Sequence, residues 1–106
     1  MLIYIAGPLT ADDPTVRDTH TAHAIQVFFT LLASGVHAFC PHLVASHAKA
    51  WTIGYEQWMT YDLAMLDLCS HVLMLPGWED SSGACREHAH AKLTEKTIVY
   101  DIADLL

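Results

Sequence analysis

Four short apolar runs divide the chain, and stretches of helical periodicity lie between them. Leu2-Ile3-Tyr4-Ile5-Ala6 is unbroken by any polar residue and closes on Gly7-Pro8, the pattern of a strand buried on both faces. Val36 to Cys40, apolar but for His37 and ended by Pro41, is the second strand. Val72 to Leu75, ended by Pro76-Gly77, is the third, and Thr97 to Tyr100 is the fourth. Asp13-Pro14 opens the first helix, with aspartate as N-cap and proline at the first helical position, and Gly35 stops it. That helix carries Val16, Ala24, Val27, Phe28, Leu31 and Leu32 on its expected inner side.

A second helix is predicted from about Tyr55. Its residues Trp58, Tyr61, Asp62, Met65, Leu66 and Cys69 fall within about 140° of one another on a helical wheel, an ordinary buried face. Asp62 lies inside that face and Asp67 opposite it. Gly83 to about Thr94 reads as an alanine-rich third helix, and His42 to Gly54 as a loop or irregular helix carrying Trp51.

Strands that alternate with helices and read as solid apolar runs imply a parallel sheet with right-handed crossovers. The expected fold is α/β, a flavodoxin/Rossmann-like three-layer sandwich of four to five parallel strands in the order 2-1-3-4. Residues 1–106 are expected to form one domain. In this class ligands bind at the carboxyl ends of the strands, where the strand order reverses. Here that point lies between Gly7-Pro8 and the stretch from Pro76 to Gly83.

Composition narrows the partners. A formal charge of −7, with no basic run, excludes a nucleic-acid polymer as ligand. No apolar run approaches the ~20 residues that span a bilayer, so no membrane partner is expected. Apolar residues make up 53% of the chain and charged ones only 16%, a surplus that points to a homodimer or larger homo-oligomer. Three cysteines without a C-x-x-C pair, and no basic leader before the first strand, fit free thiols in a reducing cytoplasm. His88 and His90 project about 200° apart on a helix and cannot chelate together. His20 and His23 could, but no acidic or cysteine-rich motif accompanies them, so no metal and no cofactor is expected. The Gly-rich dinucleotide and P-loop fingerprints are missing as well.

The chemistry concentrates in Leu75-Pro76-Gly77-Trp78-Glu79-Asp80-Ser81-Ser82-Gly83-Ala84-Cys85-Arg86-Glu87. A strand that opens through a Ser/Gly loop into a helix leaves free N–H groups at the helix start, a physical anion site. An ordinary helix capped by Ser81 or Ser82, with a solvated Glu87, has the same sequence. Glu87 lies one turn beyond Gly83, so its carboxylate tilts back below the same mouth. Asp62 on an apolar face should have a raised pKa and exchange protons near neutral pH; the alternative is a buried aspartate satisfied by a backbone N–H or a hydroxyl. Two carboxyls in unlike environments, one ionised and one protonated, are what glycosidic cleavage requires.

Three segments together, Tyr4-Ile5-Ala6-Gly7-Pro8, Asp62-Leu63-Ala64-Met65-Leu66 and Ser81-Ser82-Gly83-Ala84-Cys85-Arg86-Glu87, resemble the nucleoside 2-deoxyribosyltransferase superfamily, which includes the 2′-deoxynucleoside 5′-phosphate N-hydrolases. The resemblance is strongest to short phage and bacterial members of unproven activity. It implies hydrolysis or transfer at the N-glycosidic bond of a nucleoside or its 5′-monophosphate. Glu87 would be the nucleophile that takes the sugar, Tyr4 would orient it, and Asp62 would act on the base as general acid. Ser81 stands where phosphate-using members hold the 5′-phosphate. Gly7, Pro8, Ser82 and Gly83 would line the pocket. From position alone, His42, just after the second strand, could reach it, and Arg17, near the start of the first helix, is a candidate phosphate partner. Trp51, Trp58 and Trp78 are candidates to stack on the base, with core or subunit-interface packing as the alternative for each. Two departures bear on phosphate: Asp80 adds negative charge beside Ser81, and no counterpart is visible of the C-terminal segment that lends a serine to the neighbouring subunit in phosphate-using relatives. A nucleotide-binding or sensing module without catalysis is the alternative on the same fold, and a protein serving assembly alone a third.

Overall fold

Each apolar run becomes a strand. In a computed structural model of the protein, which describes residues 1–9 and 13–106, the strands are β1 (Leu2–Ala6), β2 (His37–Phe39), β3 (His71–Met74) and β4 (Thr97–Val99). They pair in parallel in the order β2-β1-β3-β4. The helices are α1 (Pro14–Ala33), α2 (Pro41–Ala45), α3 (Tyr55–Asp67) and α4 (Ser82–Leu93). Short 3₁₀ turns occupy Ala48–Thr52, Trp78–Asp80 and Ile102–Leu105.

Side chains of the two central strands alternate between two cores. Ile3, Ile5, Leu73 and Leu75 face α1, against Ala24, Val27 and Leu31. Tyr4, Ala6, Val72 and Met74 face the other way, against Leu66 and Cys69 at the end of α3 and Ala84 and Ala91 of α4. The result is three layers, helix, sheet and helix. Each fully buried aliphatic side chain in them is worth about 1.5–3 kcal/mol. The register sets Tyr4 opposite Val72 on one side and Phe39 on the other, with the Tyr4 and Phe39 rings 5.8 Å apart.

Caps follow the sequence signals. Asp13 accepts a hydrogen bond from the Thr15 N–H at 2.8 Å, and Pro14 opens α1. Gly35 takes a positive φ of 80° while Val36 donates back to the Leu31 carbonyl, so the chain reverses into β2. The equivalent bond at the end of α4 runs from Lys96 N–H to the Ala91 carbonyl. There the left-handed position is held by Glu95, at φ 59°.

Several expected boundaries and faces shift. The segment after Pro41 is not irregular throughout: it forms α2, with Pro41 at the first helical position, then the 3₁₀ turn. In α1 the buried stripe is Ala24, Val27 and Leu31, while Val16 and Leu32 are exposed. Leu32 points about 100° away from Leu31. Val16 lies in the overhang of a helix about 30 Å long above a strand of about 17 Å. In α3 the stripe is Met59, Asp62 and Leu66, continuing to Cys69, and Tyr61 lies at its exposed edge against Trp58 and Phe39. None of the described helices is long and apolar enough to cross a membrane.

Candidate functional site

A cavity of about 250 Å³ opens at the carboxyl end of the sheet, where β1 and β3 part company. Ile5 reaches it from β1 and Gly7 from the turn that follows, Pro41, His42 and Ala45 from α2, and Tyr55, Trp58, Met59 and Asp62 from α3. The start of α4 supplies Ser81, Ser82, Gly83, Ala84 and Glu87. Leu9, Ala50, Trp51 and Ile53 complete an otherwise apolar wall.

Glu87 stands in the sheet-facing stripe of α4, between Ala84 and Ala91, and is 5% exposed. The two alanines let the helix approach the sheet closely enough for the Tyr4 phenol, wholly buried on β1, to donate a hydrogen bond to Glu87 Oε2. Burial pushes the Glu87 carboxyl up to about 8. The Tyr4 hydrogen bond opposes that rise and the nearby Asp62 charge adds to it. Asp62 replaces an apolar residue in the α3 stripe and is 7% exposed; burial raises it to about 6. Its Oδ1 has no hydrogen-bond partner among the described residues. An unpaired, buried carboxyl oxygen on a cavity wall is the acceptor that a ligand donor would satisfy. Burial, together with the two neighbouring carboxyls, raises the Tyr4 phenol far above its usual range, so it remains a hydrogen-bond donor.

The Ser81 side chain is the N-cap of α4 and accepts from the Ala84 N–H at 3.3 Å. The Ser82 and Gly83 N–H groups have no protein acceptor among the described residues. A side chain at Gly83 would meet only Met59 Sδ at 3.5 Å and the Tyr55 hydroxyl at 4.0 Å, both ordinary contacts. The fold does not require glycine there. At Gly7 it does: a Cβ would come within 2.9 Å of Leu75 Cβ.

His42 is buried and donates from Nε2 to the Pro8 carbonyl at 2.9 Å, with Nδ1 3.9 Å from Cys40 Sγ. Burial lowers its pKa, so it is a neutral strut between α2 and the turn after β1. Pro8 therefore takes part through its carbonyl, which His42 holds, and is not on the cavity wall. Arg17 is not on the wall either; its guanidinium lies over the Trp51 ring, 5.1 Å from the centroid. Trp51 and Trp58 line the cavity, whereas Trp78 stacks on His88 at 4.2 Å elsewhere. No three His, Cys, Asp or Glu side chains among the described residues are grouped to hold a metal ion.

Tyr55 carries no signal in the sequence beyond its place at the start of α3. Its hydroxyl lies 3.1 Å from Ser82 Oγ, joining α3 to α4 across the cavity mouth. Arg86 holds Glu56 with two hydrogen bonds, at 2.9 and 3.3 Å, and its guanidinium sits 5.6 Å from the Tyr55 ring centroid. Only the three-dimensional pairing of two helix starts brings these groups together.

Fold and site thus define a parallel α/β protein with two buried carboxyls in a cavity at the carboxyl end of its sheet. The chain belongs to the family DUF4406, a domain of unknown function, whose pattern matches residues 1–100. Among curated proteins, none matches it.

Proposed function

We propose that the protein cleaves or exchanges the N-glycosidic bond of a nucleoside or nucleoside 5′-monophosphate by a retaining mechanism. The observation that carries this reading is the buried Glu87, bound by Tyr4 on one oxygen and sharing a cavity with the unpaired Asp62. With carboxyl pKa values near 6 and 8, the pair holds about one proton at neutral pH. In the free site that proton rests mainly on the more deeply buried Glu87. The reactive arrangement has it on Asp62, with the charge on Glu87 stabilised by the Tyr4 phenol.

From that arrangement Glu87 Oε1 attacks the anomeric carbon and forms an ester bond to the sugar. The carbon–nitrogen bond breaks, its electron pair goes to the base, and Asp62 delivers the proton the base requires. Water, or a second base, then attacks the same carbon, gives its proton to Asp62 and releases Glu87 as a carboxylate. The apolar wall with Trp51 and Trp58 suits the flat face of a nucleobase.

One observation favours the second reading, a binding or sensing module without turnover: a protonated Glu87 is a hydrogen-bond donor rather than a nucleophile. The two readings separate on whether a covalent adduct forms. Acid-quenched reactions, digested and weighed by mass spectrometry, should show the Glu87 peptide heavier by one glycosyl group during turnover. Base release with inverted configuration at the anomeric carbon and no adduct would defeat the retaining mechanism. Binding without base release would favour the module.

A further inference from the structure

We infer that the cavity mouth recognises a neutral, hydroxyl-bearing end of the ligand through Tyr55 and Ser82, and hence that the substrate is the unphosphorylated nucleoside rather than its 5′-monophosphate; this rests on the glycosidic reading above.

The two hydroxyls, 3.1 Å apart, share one proton between them. The second proton and the remaining lone pairs stay available, so the pair can both donate and accept. An alcohol on the ligand matches that double character. A phosphate oxygen, which only accepts, uses half of it.

Charge points the same way. No lysine or arginine lies on the cavity wall among the described residues, and the three others, Thr10, Ala11 and Asp12, are not basic. Arg86 is already matched by Glu56 and braces the Tyr55 ring. The free N–H groups at the start of α4 offer about half a positive charge. A phosphate monoester would bring about −1.5 to −2 charges. It would bring them into a cavity where the Asp62–Glu87 pair, with one proton between them, already carries about one negative charge, with Glu79 and Asp80 in the preceding turn.

Ser81 does not discriminate: its oxygen accepts from the Ala84 N–H, and its O–H can donate to an alcohol or to an anion alike. The independent sign of a ligand is Asp62, more than nine-tenths buried on the same wall with Oδ1 unpaired. It marks the wall as one built for a ligand, and in the reading above its partner there is the nucleobase.

The test is calorimetric binding to Glu87→Gln, which is isosteric with the protonated carboxyl and cannot form the adduct. Each common nucleoside and deoxynucleoside is compared with its own 5′-monophosphate. At least one nucleoside should bind about ten-fold or more tightly than its monophosphate, and inorganic phosphate should not displace it. Adding Tyr55→Phe, or separately Ser82→Ala, should weaken that nucleoside by about ten-fold and leave the free base unchanged. A monophosphate that binds as tightly as its nucleoside overturns this inference and leaves the glycosidic reading standing. Unchanged nucleoside binding in both variants overturns the assignment to Tyr55 and Ser82. If no nucleoside and no monophosphate binds, the glycosidic reading fails and this inference with it.

Discussion

The phenol of Tyr4 donates to Oε2 of Glu87 across 83 positions of sequence, and both side chains are buried between the sheet and α4. That bond draws Glu87 toward ionisation, against burial and the Asp62 charge. Tyr4→Phe keeps the ring and its packing on Phe39 but removes this support. The catalytic efficiency kcat/KM should fall by about 10- to 100-fold, the worth of a hydrogen bond to a charged group. The alkaline limb of the pH–rate profile should move to higher pH. A Tyr4→Phe profile superimposable on that of the parent protein would remove Tyr4 from the mechanism.

The carboxyl pair should give a bell-shaped pH dependence. Activity needs one proton shared between Asp62 and Glu87, so it should peak between about 6 and about 8 and fall on both sides. Asp62→Asn removes the proton donor. Cleavage should drop by about 10²- to 10⁴-fold with ordinary bases and recover for a substrate whose base departs without protonation. An Asp62→Asn variant equally slow on both substrates would mean that Asp62 does not protonate the leaving group.

Glu87 also leaves a mark on stability. Its folded pKa, about 8, exceeds its ordinary value of 4.5. Between those values the folded chain keeps a proton that the unfolded chain has lost. The group's contribution is therefore fully present below about 4.5 and is lost as pH rises through about 8. Glu87→Gln escapes that loss, so its Tm should exceed the parent's by a margin that grows from about pH 5 to about pH 9, reaching about ten degrees or more. A margin that is constant or shrinks with pH would show that Glu87 ionises freely in the fold.

Gly83 separates folding from binding. The site can take a methyl group at ordinary contact distances, and alanine is the better helix former. Gly83→Ala should leave Tm unchanged or slightly raised while weakening ligand binding by about ten-fold, because the methyl enters the cavity mouth. A loss of Tm without loss of binding would reverse that assignment.

The strand order and the three layers were legible because unbroken apolar runs and helix caps are local signals. The strand runs from Leu2 and Val72, and the Asp13-Pro14 cap, needed no tertiary information. The same holds for the spacing from Gly83 to Glu87, which alone sets one below the other. Tyr55 was not legible, since its partner Ser82 lies on another helix. Tyr61 and Met59 exchanged places because a helical wheel gives the width of a face but not which edge lies beside α4 and the cavity. Glu95 gave no signal, for its left-handed turn is imposed by the return of the chain from α4 into β4 and not by its own preference. Arg17 looked like a phosphate contact in sequence, and its partner is the Trp51 ring, brought near by the 3₁₀ turn.

The most direct measurement incubates the purified protein with each common nucleoside, deoxynucleoside and 5′-monophosphate, with and without an added acceptor base, beside Glu87→Gln. Chromatography then detects free or exchanged base. Base release or exchange by the parent protein and not by Glu87→Gln is the predicted result. No release from any substrate, or equal release by Glu87→Gln, would contradict it.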